Sequence, residues 1–389
     1  MRTLSLSLLA AALFVLPAAA AAQGTLSTQG FGYPAGQMST RTLGTGGAMS
    51  EIDPLSVTNP ASLVNLGTSA LYFQAEPEYR TLRMGGQSQT SSIARYPLVA
   101  AGVPITSTLF LGLSASNLLD RTFQTSVRGS QLVGGDLVTS TNTFVSNGAI
   151  SDLQLALSWA PRSWLHLGVA GHAVTGDNRL ASRQVFDDTT TFGAIVDTST
   201  VTYVGKAYSA GVELYAGRYA VVAASYRGGG ALSVKHGDTT LGNARVPDRL
   251  AMSAAYLGIR GTTLAVRTAK EQWTDMNGLG SPGLPIYDGW DTSVGADVLG
   301  PRLAGRPLQL RAGMRWRTLP FGVQPLLPDG SLGPSSSVQE KSYSFGAGSL
   351  LARGRAALDI AAIRATRRAL TTSVEENAWT LSVGITVRP

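Results

Sequence analysis

Between Ser151 and Val174 the side chains change character at every step. Leu153, Leu155, Leu157 and Trp159 alternate with Asp152, Gln154, Ala156 and Ser158. A period of two places one set on each face of a β-strand. After Ala160-Pro161-Arg162-Ser163 the alternation resumes, with Leu165, Leu167 and Val169 against His166, Gly168 and Ala170, and Trp159 and Trp164 flank the turn. A water-exposed sandwich would carry charge on its open face, whereas this second face is glycine, alanine and serine. The opposite polarity fits better: apolar residues meet lipid, small polar residues face a lumen, and aromatics mark the membrane interface. The pattern predicts an all-β chain folded as a transmembrane antiparallel β-barrel.

About fourteen such segments follow Leu71, and their connections alternate in length. Short joins fall near 104–107, 160–163, 216–218, 258–261, 301–305 and 353–354; longer polar joins fall at 81–89, 130–146, 181–198, 237–246, 276–286, 320–339 and 368–376. Bacterial barrels sort their connections this way, with short periplasmic turns and larger external loops, and an even strand number puts both ends in the periplasm. In 308–318, Arg311, Arg315 and Arg317 share one face and Leu308, Leu310, Met314 and Trp316 the other. Arginines on a strand cannot face hydrocarbon, so that face must be the lumen or its rim. Ala356 to Ala365 alternates weakly and is assigned a strand by position.

The N-terminus combines Arg2, an apolar run from Leu4 to Leu16, and Ala20-Ala21-Ala22 before Gln23. That is the layout of a secretory signal peptide, residues 1–22, cut after Ala22. Nowhere else is there an apolar run long enough for a spanning helix. The chain has no cysteine, so no disulfide staples it, and a large continuous core or a closed sheet must hold it together. Net charge is +7, but the arginines are scattered. Loop solvation and contact with lipopolysaccharide both account for that charge, and no basic stripe with aromatics suggests nucleic acid.

Residues 23–66 do not alternate. They contain Leu43-Gly44-Thr45-Gly46-Gly47-Ala48, then Asp53-Pro54, then Asn59-Pro60-Ala61-Ser62-Leu63. Asn59 can cap a short helix with Pro60 at its first position. These elements resemble the N-terminal hatch of the FadL/TodX family of outer-membrane transporters of hydrophobic compounds. Ala94-Arg95-Tyr96-Pro97 through Leu109 to Phe123 is similar to that family's second and third strands, and Val246-Pro247-Asp248 through Trp273-Thr274-Asp275 to a later strand pair. The resemblance implies a barrel of about 14 strands at 67–389, plugged by a hatch at 23–66. Substrate would be caught outside, passed to an apolar pocket and released when the hatch shifts. It also implies a kink in the third strand that opens the wall sideways, here around Ser116 to Asp120, where Leu118 and Leu119 break the alternation.

Gly46, Gly47, Asn59 and Pro60 are therefore candidate gating residues, together with Asn117 at the expected kink. Arg311, Arg315 and Arg317 could meet the acid end of a substrate or pair with lumen carboxylates. His166 and His172 share the inferred lumen face, about 20 Å apart by strand rise and so too far to share a metal. No nucleophile-base spacing is recognisable, and Gly44 to Gly47 lacks the Gly-Lys-Ser/Thr ending of a phosphate loop. The expectation is a monomeric, non-enzymatic outer-membrane channel for small hydrophobic molecules such as long-chain fatty acids, without cofactor or metal. Its partners would be the ligand, outer-membrane lipid and lipopolysaccharide. The alternative is a related barrel that anchors or shuttles for a protein secretion system.

Overall fold

The computed structural model describes residues 31–389 apart from 85–86, 134–135, 189–190, 280–284, 304, 325–332 and 370–373. The signal segment with its cleavage after Ala22, and the first residues of the 23–66 hatch, lie outside the described residues. The barrel strands are β1 (Ala70–Met84), β2 (Gln87–Pro104), β3 (Leu109–Asp120), β4 (Phe123–Val133), β5 (Asp136–Arg162), β6 (Leu165–Phe186), β7 (Ile195–Ala216) and β8 (Ala220–His236). They continue as β9 (Thr239–Arg245), β10 (Arg249–Ile259), β11 (Thr262–Glu271), β12 (Gly289–Leu303), β13 (Arg306–Val323), β14 (Ser336–Leu351), β15 (Ala356–Ala369) and β16 (Glu375–Val387).

These segments form fourteen staves, because β3 and β4 both pair with β5, and β9 and β10 both pair with β8. The sheet closes where β1 runs antiparallel to β16, from Leu71 opposite Val387 to Arg83 opposite Glu375. Closure pairs the staves on both sides through the zone nearest the short turns, as a spanning sheet in lipid requires.

Polarity is inverted relative to a soluble protein. Leu155 is 57% exposed while its neighbour Gln154 is 4% exposed. Leu113, Val169, Leu250 and Val266 likewise point outward, and Ser114, Ser253 and Arg267 inward. Trp159, Trp164, Tyr219 and Tyr256 are exposed near the short-turn rim, the position of an interfacial girdle. Replacing Leu155 with Arg is expected to destabilise the barrel by about 2–4 kcal/mol, the cost of a cation at mid-bilayer. Urea unfolding from lipid vesicles would measure it; an unchanged midpoint would mean that Leu155 does not face hydrocarbon.

The short turns lie where the sequence places them. The longer connections differ in kind, because several are strands continuing past the bilayer. Residues 130–146, expected as a loop, form most of a hairpin in which Phe123 pairs with Ser146 and Ser130 with Thr139. Threonine and valine suit strands even where both faces meet water, and hydroxyl pairs such as Ser126–Thr143 at 3.0 Å bind the two sides together. The weakly alternating 356–365 is β15: Ala361 and Ala365 are small and buried because they face the plug.

Residues 31–69 fold inside the barrel. They contain one short helix, α1 (Thr40–Gly44), and a 3-10 helix, Pro60–Leu66; a second 3-10 helix, Trp273–Leu279, folds in from the long-connection rim.

Candidate functional site: a seated hatch, a charged belt and an interrupted wall

The hatch is knotted by its own polar side chains. Ser39 caps α1 by accepting from Thr42 N, and Asp53 Oδ2 accepts from the hydroxyls of Ser39, Thr42 (2.9 Å) and Ser56 (3.1 Å). Asn59 caps the 3-10 helix, accepting from Ala61 N at 3.0 Å, and its amide donates to Glu51 O at 2.7 Å. Pro60 stands at the first helical position, where no N–H is needed. Gly46 (φ +69°) and Gly47 (φ +94°) turn the chain in a conformation other residues avoid.

What holds the hatch to the wall is backbone on backbone. On one side Thr45-Gly46 lies on Gly295 of β12 and Gly313 of β13, which pair directly with each other. A Cβ on Gly313 would sit 2.1 Å from Thr45 C. On the other side Asn59-Pro60-Ala61 lies on Gly168 of β6 and Gly211 of β7, also directly paired. A Cβ on Gly168 would sit 2.3 Å from Pro60 C. Between these seats the fully buried carboxylate of Glu51 accepts from Arg249, from Arg267 at 3.2 Å and from Ser225 Oγ at 2.5 Å. Burial alone would push the Glu51 carboxyl up, but Arg249 and Arg267 outweigh it and hold it below the ordinary glutamate range.

Above the hatch a belt of ion pairs circles the lumen. Glu78 of β1 meets Arg95 of β2 at 2.8 Å, and Arg95 meets Asp120 of β3 at 2.5 Å. Arg367 of β15 bridges Glu78, Glu340 and Glu376. Two of the three predicted arginines join the belt, Arg315 with Asp291 at 2.7 Å and Arg317 with Glu340 at 2.6 Å, while Arg311 pairs with Asp297 and Asp359 on the short-turn side of the hatch seat. Tyr33 of the hatch sits at the hub, its ring 4.5–5.0 Å from the guanidinium carbons of Arg367, Arg317 and Arg95. Burial raises the Tyr33 phenol, so it stays neutral and donates to Glu340 at 2.9 Å. A cavity of about 120 Å³ is lined by Tyr33–Met38 together with Arg95, Arg267 and Arg315, room for a cluster of waters.

The strands also assemble a chain invisible in sequence. His172 Nδ1 lies 2.8 Å from Asp152, and Nε2 lies 2.9 Å from Ser209 Oγ. The order matches a hydrolytic triad, but the surroundings do not. Ser209 is in register with both Ala170 and Arg227 in mid-sheet, so the ladders use the N–H groups an oxyanion hole would need. Gln37 of the hatch covers Asp152. The chain braces β5, β6 and β7, as the 3.0 Å His166–Glu213 pair does nearer the turns.

The wall is interrupted at the expected strand. Pairing of β2 with β3 runs from Pro104 up to Leu98 and stops at Pro97, which has no N–H to donate. On β3 the register slips between Asn117 and Leu119, and the stave breaks again at Arg121-Thr122. Among the described residues β2 forms no ladder with β4. The hatch segment Phe31–Gly36 occupies this place. Tyr33 exchanges backbone hydrogen bonds with Asp120 at 2.7 and 2.8 Å, and Gly36 packs against Pro97 and Asn117 O. The second broken stave is sealed, since Val246 N donates to Gly230 O at 3.0 Å and Gly229 N to Asp248 at 2.7 Å.

Beyond the belt, the lumen turns apolar. Trp273, Met276, Leu319 and Phe321 near the long-connection rim join Leu232 and Tyr203, and reach Leu118, Leu119 and Phe31 at the interruption as one buried cluster. Phe31 meets Trp273 edge-on, with ring centroids 6.2 Å apart. A smaller cavity of about 40 Å³, bordered by Leu55, Leu63 and Leu66, lies on the opposite side of the hatch.

The candidate residues therefore divide between locations. Gly46, Asn59 and Pro60 lie at the hatch seats with Gly47 beside them, Asn117 lies at the interruption, Arg315 and Arg317 belong to the belt, and Arg311 lies on the short-turn side of the Gly313 seat, against Gly44 and Gly346. Glu51, Tyr33 and most belt partners escaped the sequence reading, and Trp273 figures there only as part of a resembling strand pair. Inward parity would have exposed Glu76, Glu78 and Arg80 of β1 by the argument applied to β13.

The architecture defines a plugged transmembrane β-barrel. It is similar to the crystal structure of a Pseudomonas aeruginosa FadL homologue (TM-score 0.61, 11% identity, covering 92% of this chain and 99% of that one). It is also similar to the Pseudomonas putida toluene transporter TodX (0.55, 13%, 91% and 98%) and to the monoaromatic hydrocarbon channel CymD (0.55, 12%, 90% and 97%). No protein-family model and no curated protein matches the sequence. The chain has the fold of the FadL and TodX channels.

Proposed function

We propose that the protein is a bacterial outer-membrane channel for the uptake of small, uncharged hydrophobic molecules. The observation that carries this reading is the single apolar cluster running from Trp273 and Met276 to Leu118 and Leu119 at the wall interruption. A solute entering at the outer rim would leave water for that cluster and meet Phe31–Gly36. Displacement of this segment would open a path through the wall beside β2. Gly46, Gly47, Asn59 and Pro60 would keep the rest of the hatch seated meanwhile.

Uncharged compounds suit the path better than the long-chain fatty acids expected from sequence. Arg311, Arg315 and Arg317 already face protein carboxylates, so a substrate carboxylate would have to displace one of them. Met276→Asp tests the reading, because it puts a charge in the apolar zone without touching the barrel wall. Uptake of labelled toluene is expected to fall on the order of tenfold, reflecting the cost of an unpaired buried charge. Unchanged uptake with normal surface levels would remove the apolar zone from the path.

A further inference from the structure

We propose that the outward face of β13–β16 carries a binding site for the phosphorylated headgroup of lipopolysaccharide. Lys341 of β14 stands directly across from Trp316 of β13, and Arg364 of β15 directly across from Trp379 of β16. The cations lie 6.0 and 5.6 Å from the ring centroids, and Lys341 is also 5.3 Å from that of Tyr343. Lys341 is in register with Thr366, which makes Arg364 its diagonal neighbour, about 7–8 Å away and close enough for both to grip one phosphate. A third pair, Lys270 across from Trp290 at 6.0 Å, repeats the arrangement on β11 and β12.

Depth and charge identify the occupant. The rings of Trp316, Trp379 and Tyr343 are exposed and lie toward the long-connection end of their strands. From Trp379 down to Val387 the strand descends roughly 20 Å at a 40° tilt, nearly the height of the apolar band. Tryptophan marks the headgroup level, and an outward cation is tolerated there and not deeper. Among the described residues no carboxylate pairs with Lys341, Arg364 or Lys270. The acid nearest in register, Glu375, is held by Arg368 at 2.5 Å and by Asn377. Unpaired cations backed by aromatic faces at the outer headgroup level complement the phosphates and acyl chains of lipid A. This assignment needs only the outer-membrane location and is independent of what crosses the lumen.

The test uses the full-length protein in detergent with Kdo2-lipid A as probe, followed by native mass spectrometry. Lys341→Ala with Arg364→Ala is expected to weaken binding about tenfold or more, as loss of charge-assisted contacts does, while the charge-keeping Lys341→Arg with Arg364→Lys, and Arg218→Ala in the β7–β8 turn at the opposite rim, leave it near wild type. Heat-modifiable migration on gels confirms that each barrel is folded. Wild-type affinity in the double alanine variant would overturn the site. So would an equal loss for phosphatidylglycerol or for dephosphorylated lipid A, since the face would then be a general lipid contact.

Discussion

A barrel carrying Gly168→Leu and Gly313→Leu is expected to fold, to insert and to conduct ions on the order of tenfold or more above wild type in planar bilayers, since a fourteen-stranded wall without its plug encloses an open lumen. The substituted side chains would occupy space now filled by hatch backbone: even their Cβ atoms would lie 2.3 Å from Pro60 C and 2.1 Å from Thr45 C. Neither contact can be relieved by rotating a side chain, because both partners are main chain. The wall itself has no reason to fail. It closes through the β1–β16 ladder and carries its apolar band on the other face. Gly171→Leu is the control, because a Cβ there meets nothing within 4 Å. Wild-type conductance in the double variant would mean that the hatch does not rest on these glycines.

Glu51→Ala is expected to undock the hatch by a different route. Removing one partner of a buried ion pair typically costs about 3–5 kcal/mol, because the opposite charge stays behind without compensation. Here Arg249 would lose its shortest carboxylate contact, while Arg267 would keep Asp291 at 2.6 Å. Hydrogen exchange at the amides of residues 39–59 should accelerate by a factor on the order of 10² or more, the exchange equivalent of that free energy. Replacing both partners with methionine should recover much of the protection, since no charge is then stranded. The same contact fixes a pH dependence. The Glu51 carboxyl is held below its unfolded value, so the stabilisation is complete above that value and is lost as pH falls through the lowered one. Equal exchange in wild type and Glu51→Ala would show that the carboxylate does not anchor the plug.

The barrel was legible because each strand repeats one instruction. Leu153, Leu155 and Leu157 state it plainly, and the alternation of short and long joins fixes which rim is which. The kink was expected from the family resemblance, and Leu118-Leu119 marks its place as a local failure of the pattern. The hatch contacts were not legible. Asn59 and Pro60 announce a capped helix, but nothing local says that Gly168 and Gly211 lie beneath it, or that Glu51 reaches Arg249 and Arg267 across the lumen. Such contacts depend on strand order and register, which place residues hundreds of positions apart side by side. The Asp152–His172–Ser209 chain escaped for that reason too: its members sit on three strands at unremarkable spacings. Strand extensions were misread as loops because polar residues with high strand propensity look like loop in a reading tuned to alternating polarity.

The central claim is passage of uncharged hydrophobic solutes, and the direct measurement is uptake of labelled toluene, hexadecane and oleate by cells with and without the protein. The account predicts several-fold slower uptake of the two hydrocarbons in the deletion strain, with oleate affected least. Unchanged uptake of all three, accompanied by loss of other proteins from the cell surface, would contradict it and favour a role in secretion.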